Sequence, residues 1–177
     1  MVEHVALVAC GAPLAARVHD VAAALLAAGH GVSVVGTEPA LAWVDRPAVV
    51  QVAGHEIRVD HRSPDQPKRG PRADAVVVCP ATLNTVGKIA HALMDNYAVG
   101  VACGAIGEGV PVLVFPMISN RLWGHPARAR GFALLREAGV RFHSVLTGAA
   151  AEQPVISGSS AEVVEQFDPH WVVNALT

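Results

Sequence analysis

Four short runs of apolar, largely β-branched residues, none broken by a charge, most constrain what this chain can become. They are "VALVAC" ahead of Gly11, "VSVVG" at 32–36, "AVVVC" at 75–79 and "VPVLVF" at 110–115. Runs this short, rich in Val and flanked by Gly or Pro, read as strands buried on both faces, the habit of a parallel sheet. Parallel strands need crossovers of a dozen or more residues, and the segments between the runs supply them. "LAARVHDVAAALLAAG" has helical spacing and stops at Gly29, where a C-terminal glycine belongs. "PALAWV" reads as a short helix, Thr85–Leu93 as a helix, Asp95 as the cap of another running toward Cys103, and "PARARGFALLREAG" as a helix ending at Gly139.

Strands alternating with helices predict an α/β fold, a doubly wound and mostly parallel sheet of Rossmann-like (flavodoxin-like) type. At 177 residues the chain suits a single domain, 1–177. "VVQV" and "EIRVD" are expected to pair as a hairpin or to extend the sheet, and "VRFHSV" to form a late strand. The Pro-rich, charged stretch 62–72 reads as an exposed loop insertion and 147–160 as a flexible flap. Ser159-x-x-Glu162 has the pattern of a capping box ahead of a final helix.

Charge and cysteines exclude several functions. A net charge of -2 and a pI near 6.5 leave no basic footprint for nucleic acid. No uncharged apolar stretch reaches the ~20 residues of a bilayer span, and the start lacks the basic region of a signal peptide. Cys10, Cys79 and Cys103 lie in or beside apolar runs, which suits reduced, buried thiols in a cytoplasmic protein. "HEIRVDH" lacks the spacing and cysteine partners of a metal site, so no metal is expected.

In doubly wound sheets, ligands bind outside the carboxyl ends of the strands, and four strand ends carry unusual chemistry. These are "CGAPLAAR", "GTEPALAW", "CPATLNT" and "FPMISNRLWGHP". Gly11 opens the first turn, where free N–H groups suit a phosphate, although no GxGxxG or P-loop lysine is present. Asn84 and Thr85 read either as ordinary helix caps or as donors to a ligand.

Together these ends resemble one family. "PATLNTVGKIAHALMDN" is similar to the Pro-Ala-Ser-Ala-Asn-Thr motif and following Asp-Asn of the homo-oligomeric flavin-containing cysteine decarboxylases. "FPMISNRLWGHP" resembles their Pro-x-Met-Asn-x-x-Met-Trp segment, and "VVGTEPALAWV" their Met-Thr-x-Ser-Ala-x-x-Phe stretch. The likeness covers most of residues 4–143. It implies FMN as cofactor, with Pro80, Thr82, Asn84 and Thr85 at the flavin and Asp95 and Asn96 packing by the cofactor or a subunit interface. It further implies Trp43 as the aromatic against the ring, Thr37 along the ribityl chain and phosphate, and Gly11 at the phosphate. The family's Gly-Ser-Ile appears here as Ala12-Pro13-Leu14, so a serine hydroxyl is missing.

For catalysis the resemblance implies a histidine before the third strand. "RVDHRSP" supplies Asp60 and His61, with His61 the candidate base and His55 the fallback. A histidine can take a thiol proton near neutral pH. The family's carboxylate-binding Asn aligns with Ser119, with Asn120 one position late. Met117, Ser119 and Asn120 are therefore the expected substrate contacts, with either Ser119 or Asn120 meeting the carboxylate. "TGAAAEQPVISGSS" lacks the cysteine with which the coenzyme A branch reduces its enethiol intermediate.

The implied reaction is oxidative decarboxylation of a C-terminal peptidyl cysteine to an aminoenethiol, as in ribosomal peptide maturation. Phosphopantothenoylcysteine decarboxylation and a non-catalytic, flavin-binding interaction protein are the alternatives. The expected partners are a peptide or small molecule with a terminal cysteine and further copies of the chain, as a trimer or dodecamer. No nucleic acid or membrane partner is expected.

Overall fold

In this computed structural model the described residues are 2–61, 63, 65 and 70–177. Five strands, β1 (His4–Ala9), β2 (Gly31–Gly36), β3 (Ala75–Ala81), β4 (Val112–Pro116) and β5 (Arg141–Phe142), form one sheet in the order β2-β1-β3-β4-β5. Every pairing is parallel, with Val5 opposite both Val32 and Ala75, and Val77 opposite Leu113. All seven residues of β3 are buried. That explains its unbroken apolar run, because a central parallel strand has no solvent face to alternate toward.

The helices cover the sheet on both sides. They are α1 (Val18–Ala27), α2 (Arg46–Ala53), α3 (Leu83–Ala90), α4 (Tyr97–Gly107), α5 (Asn120–Trp123), α6 (Pro126–Glu137), α7 (Ser160–Gln166) and α8 (His170–Ala175). One core layer joins Leu7, Val34 and Phe115 to α1, α2, α7 and α8 through Leu25, Val49, Val163 and Val172. The other joins Val8, Val78 and Val114 to α3, α4 and α6 through Ile89, Val99 and Phe132. This is the expected doubly wound fold. Its strand order is the flavodoxin-like one, so the switch point falls between β1 and β3.

Several local expectations are corrected. "VVQV" is neither hairpin nor sheet extension but part of α2. Asp45 accepts a hydrogen bond from the Ala48 N–H (3.0 Å), Pro47 occupies the first turn, and left-handed Gly54 ends the helix. Of "EIRVD", only Arg58 meets the sheet, in an isolated parallel bridge to Val35. The first crossover begins as a 3-10 turn over Pro13–Arg17 before α1. Asn96, not Asp95, caps α4 through the Val99 N–H. Ser159 stands at the start of α7 without a side-chain cap, its hydroxyl donating instead to the Ile156 carbonyl. Of the loop insertion, residues 62, 64 and 66–69 lie outside the described residues.

Candidate functional site

Beyond the carboxyl ends of β1 and β3, the chain leaves in opposite directions and opens a cleft of about 400 Å³. Ligand cavities commonly run from ~300 to ~1,000 Å³. Four segments wall this one: Gly11 after β1; Thr37, Glu38 and Pro39 after β2; Thr82, Asn84, Thr85 and Lys88 at the start of α3; and Asn96 ahead of α4.

The α3 wall is set by Thr82. Its hydroxyl accepts from the Thr85 N–H (3.3 Å) and donates to the Thr85 hydroxyl (3.1 Å), so Thr82, not Asn84 or Thr85, caps the helix. Thr85 itself is buried. Asn84 is exposed on the first turn, and Lys88 follows four residues later on the same face. Asp95 pairs with the Lys88 ammonium, which holds its carboxyl below the usual carboxylate range. The Asn96 amide donates to Asp95 (2.9 Å) while its carbonyl caps α4. Lys88, Asp95 and Asn96 thus form one chain of contacts from the cleft wall to the next helix.

Opposite, Gly11 is required by space. A Cβ there would stand 2.6 Å from the Pro39 Cβ and 3.1 Å from its carbonyl carbon, whereas carbon atoms pack at ~3.5–4.0 Å. The Cys10 N–H donates to the Pro80 carbonyl (3.0 Å), locking the two strand ends together. The Cys79–Pro80 bond is cis, and the β3–β4 register shifts between Val78 and Ala81. Burial pushes the Cys10 thiol up to about 11 despite hydrogen bonds to Thr85 and Thr82, and pushes Cys79 up as well. Cys10, Cys79 and Cys103 are all free thiols; Cys10 and Cys79 are buried as expected, whereas Cys103 is only half-buried.

The other nominated residues stand outside the lining. Trp43 follows the β2 turn, 46% exposed. His61 is exposed and rests edge-on against the Tyr97 ring at 5.2 Å, on the flank of α4. Met117 is buried after β4, its N–H donating to the Ala81 carbonyl (2.9 Å). Ser119 begins α5 without a capping bond. Asn120 faces the segment expected to be a flap: its backbone N–H donates to the Val155 carbonyl (2.8 Å) and its side-chain amide oxygen accepts from the Ser157 N–H (3.0 Å). With Ser119 bridging Val155, the flap's midpoint is tied to the β4 loop.

Glu38, Pro39 and Lys88 escaped the sequence reading. For Lys88 the signal was its spacing of four from Asn84, visible once α3 is known to start at Leu83.

A protein-family model described as Flavoprotein matches residues 2–166. The bifunctional coenzyme A biosynthesis protein CoaBC of Bacillus subtilis is 28% identical over 124 residues, which is 67% of this chain and 30% of that protein. The chain thus spans under a third of that relative's length. Among solved structures, a PPC decarboxylase mutant complexed with pantothenoylaminoethenethiol superposes with a TM-score of 0.67 at 25% identity, covering 79% of this chain and 80% of that one. The FMN-dependent cysteine decarboxylase SpaF superposes at 0.69 and 24% identity, covering 99% and 98%, a likeness of fold.

Proposed function

The chain belongs to the Flavoprotein family, and on that premise we propose that it binds FMN and oxidatively decarboxylates a peptide's C-terminal cysteine to an aminoenethiol. The observation that carries the reading is the switch-point cleft. Its polar lining is three threonine hydroxyls, two carboxamides, one ammonium and the Glu38 carboxylate, with a glycine turn opposite. That set fits a polyhydroxylated ribityl chain and the hydrogen-bonding edge of a heteroaromatic ring. Thr37, Thr82, Asn84, Asn96 and Lys88 would hold FMN, with Gly11 admitting it close to the backbone, Pro80 and Thr85 shaping the floor, and Asp95 steadying Lys88. Bound FMN supplies a two-electron acceptor.

The remaining roles fall to this chain's own side chains. His61 takes the substrate's thiol proton, as a general base does. Its exposed seat on α4 suits delivery to the cleft of a second copy, so the working unit is a homo-oligomer, a trimer or a multiple of three such as a dodecamer. Exposed Trp43, Leu93 and Met94 offer the apolar surface such contacts bury, and Trp43 would then cover the cofactor ring. The substrate carboxylate accepts from the Ser119 hydroxyl or from the side-chain NH2 of Asn120, whose amide oxygen is held by the Ser157 N–H. Met117 backs that loop from the core.

A phosphopantothenoylcysteine substrate is the second reading, favoured by the likeness to CoaBC and to the PPC decarboxylase complex. The cysteine-free segment 147–160 favours the peptide, since its enethiol product needs no reducing thiol. The test is to supply peptides ending in free cysteine and, separately, phosphopantothenoylcysteine, and to read products by mass. Loss of CO2 and two hydrogens from the peptide, abolished by C-terminal amidation, supports the proposal. Conversion of phosphopantothenoylcysteine alone selects the second reading. His61→Asn should retain bound flavin and lose about 10²-fold or more in turnover; equal inertness of both forms toward all substrates would leave a flavin-binding interaction protein.

A further inference from the structure

A second cavity adjoins the flavin cleft. It encloses about 320 Å³ between α3 and the start of α6, and Asn84 and Lys88 line both. Leu83 and Val86 make its α3 side apolar. A Cβ on the neighbouring Gly87 would meet nothing within 4 Å, so packing does not call for glycine in the middle of this helix, where it costs stability. The bare backbone there keeps the cavity open. Its charge is one-sided: Lys88, His91, His125 and Arg128 line it, with no carboxylate among the described residues. Residues 109–136 likewise hold four arginines and no acidic residue, in a chain of net charge -2. Lys88 is occupied by Asp95. Arg128 lies over the Trp123 ring at 4.3 Å and its Nε donates to the Trp123 carbonyl (2.6 Å). Its terminal NH2 groups have no carboxylate partner among the described residues. The His125 Nδ1 accepts from the Ala127 N–H (3.1 Å), so the ring proton sits on Nε2, a donor. A stacked, planar guanidinium and an imidazole N–H in one lining suit a carboxylate.

The loop proposed to meet the substrate carboxylate runs straight into this lining. From Ser119 the chain reaches His125 through the four residues of α5, about 6 Å of helix, and Gly124. With the flanking residues that is roughly 10 Å, or about three residues of extended peptide. We infer that the α3–α6 cavity binds the stretch of substrate peptide just before the terminal cysteine. Arg128 and His125 there select a carboxylate side chain about three residues upstream of that cysteine, while Leu83 and Val86 take up its apolar neighbours. The inference rests on the peptidyl-cysteine reading and narrows its substrate class to acidic C-terminal segments.

The experiment assays the flavin-loaded full chain with hexapeptides identical except for Glu, Gln or Lys placed third before a free terminal Cys, reading KM and kcat from product mass. At low salt the Glu peptide should have a KM about tenfold below that of the Gln peptide, with kcat within about twofold. The Lys peptide should be weaker still, and added salt should narrow the gap. Arg128→Gln should erase the difference between Glu and Gln while keeping bound flavin and kcat. Arg128→Glu should turn the preference toward the Lys peptide, which a merely structural role for the stack on Trp123 would not do. Gly87→Leu, filling the cavity from a helix position with open space, should raise KM for the Glu peptide about tenfold and leave flavin content unchanged. Arg130→Gln, the same charge change outside the lining, should alter neither constant. Equal KM for the Glu and Gln peptides in wild type overturns the inference while peptidyl-cysteine decarboxylation stands. So does Arg128→Gln raising KM for both alike, or Gly87→Leu leaving it unchanged. Turnover of no peptide overturns the peptide reading and this inference with it.

Discussion

Replacing Gly11 by alanine tests whether the cleft owes its shape to the contact between the β1 and β2 turns. The new methyl would lie 2.6 Å from the Pro39 Cβ, 3.1 Å from its carbonyl carbon and 3.2 Å from its carbonyl oxygen. Restoring ordinary contact at ~3.5–4.0 Å requires a movement of about 1 Å. No rotamer change can provide it, since two of the three atoms are backbone and the third belongs to a proline ring. The Pro39 segment is also held by the Thr37 N–H to Ala9 and the Ala40 N–H to Thr37, so moving it strains both bonds. Overpacking of this kind costs about 1–3 kcal/mol, roughly 2–12 °C in Tm for a chain of this size. The same movement displaces Thr37 and Glu38 from the cleft wall, so flavin affinity should fall as well. Thermal unfolding of the flavin-free protein and a flavin titration measure the two effects separately. Gly104→Ala serves as the contrast, because a Cβ on that exposed turn of α4 meets nothing within 4 Å. It should stabilise by up to ~1 kcal/mol. A Gly11→Ala protein as stable as wild type, with unchanged affinity, would refute the steric account of the cleft.

Two further outcomes are expected. Burial lowers the folded-state pKa of His4, against the pull of Asp74, and of His143, against its hydrogen bond to Gly148; both therefore favour the unfolded chain once protonated. Their stabilisation is complete above the unfolded value near 6.5 and is lost as pH falls from there toward the depressed folded values. Urea midpoints measured between about pH 7 and pH 5 should decline, and His143→Gln should flatten the slope; a flat wild-type profile would contradict the burial argument. At the β4 loop, Ser119→Ala should raise KM for a Cys-terminal peptide and leave flavin affinity alone, whereas Asn120→Ala should first loosen residues 155–157, seen as faster amide exchange at Ser157. If Asn120→Ala alone abolishes turnover without altering that exchange, the carboxylate contact belongs to Asn120.

How much of this was legible in the sequence depended on where each signal resides. Strands buried on both faces announce themselves, since β3, β4 and β1 from Val5 onward have no solvent side and must be apolar. The strand-end location of the cleft followed from the alternation of elements. The misreadings arose where a local start signal competed with side-chain propensity. Val49, Val50 and Val52 favour a strand on intrinsic grounds, yet Asp45 and Pro47 nucleate a helix, and only Val49 needs to be buried in α2. Helix starts also decided which site residues were visible. Beginning α3 at Thr85 left Asn84 outside the helix and hid Lys88. Starting it at Leu83, with Thr82 as cap, sets Asn84 and Lys88 one turn apart on the same wall. Glu38 was hidden for another reason: it is an ordinary exposed carboxylate until the approach of Gly11 to Pro39 makes its turn part of a cavity. A contact between two turns separated by 25-odd residues has no local pattern, because it is set by the parallel register of His4 with Gly31 and Ala9 with Gly36. That register carries both turns to the carboxyl end of the sheet, where Gly11, Glu38 and Pro39 form one wall of the cleft.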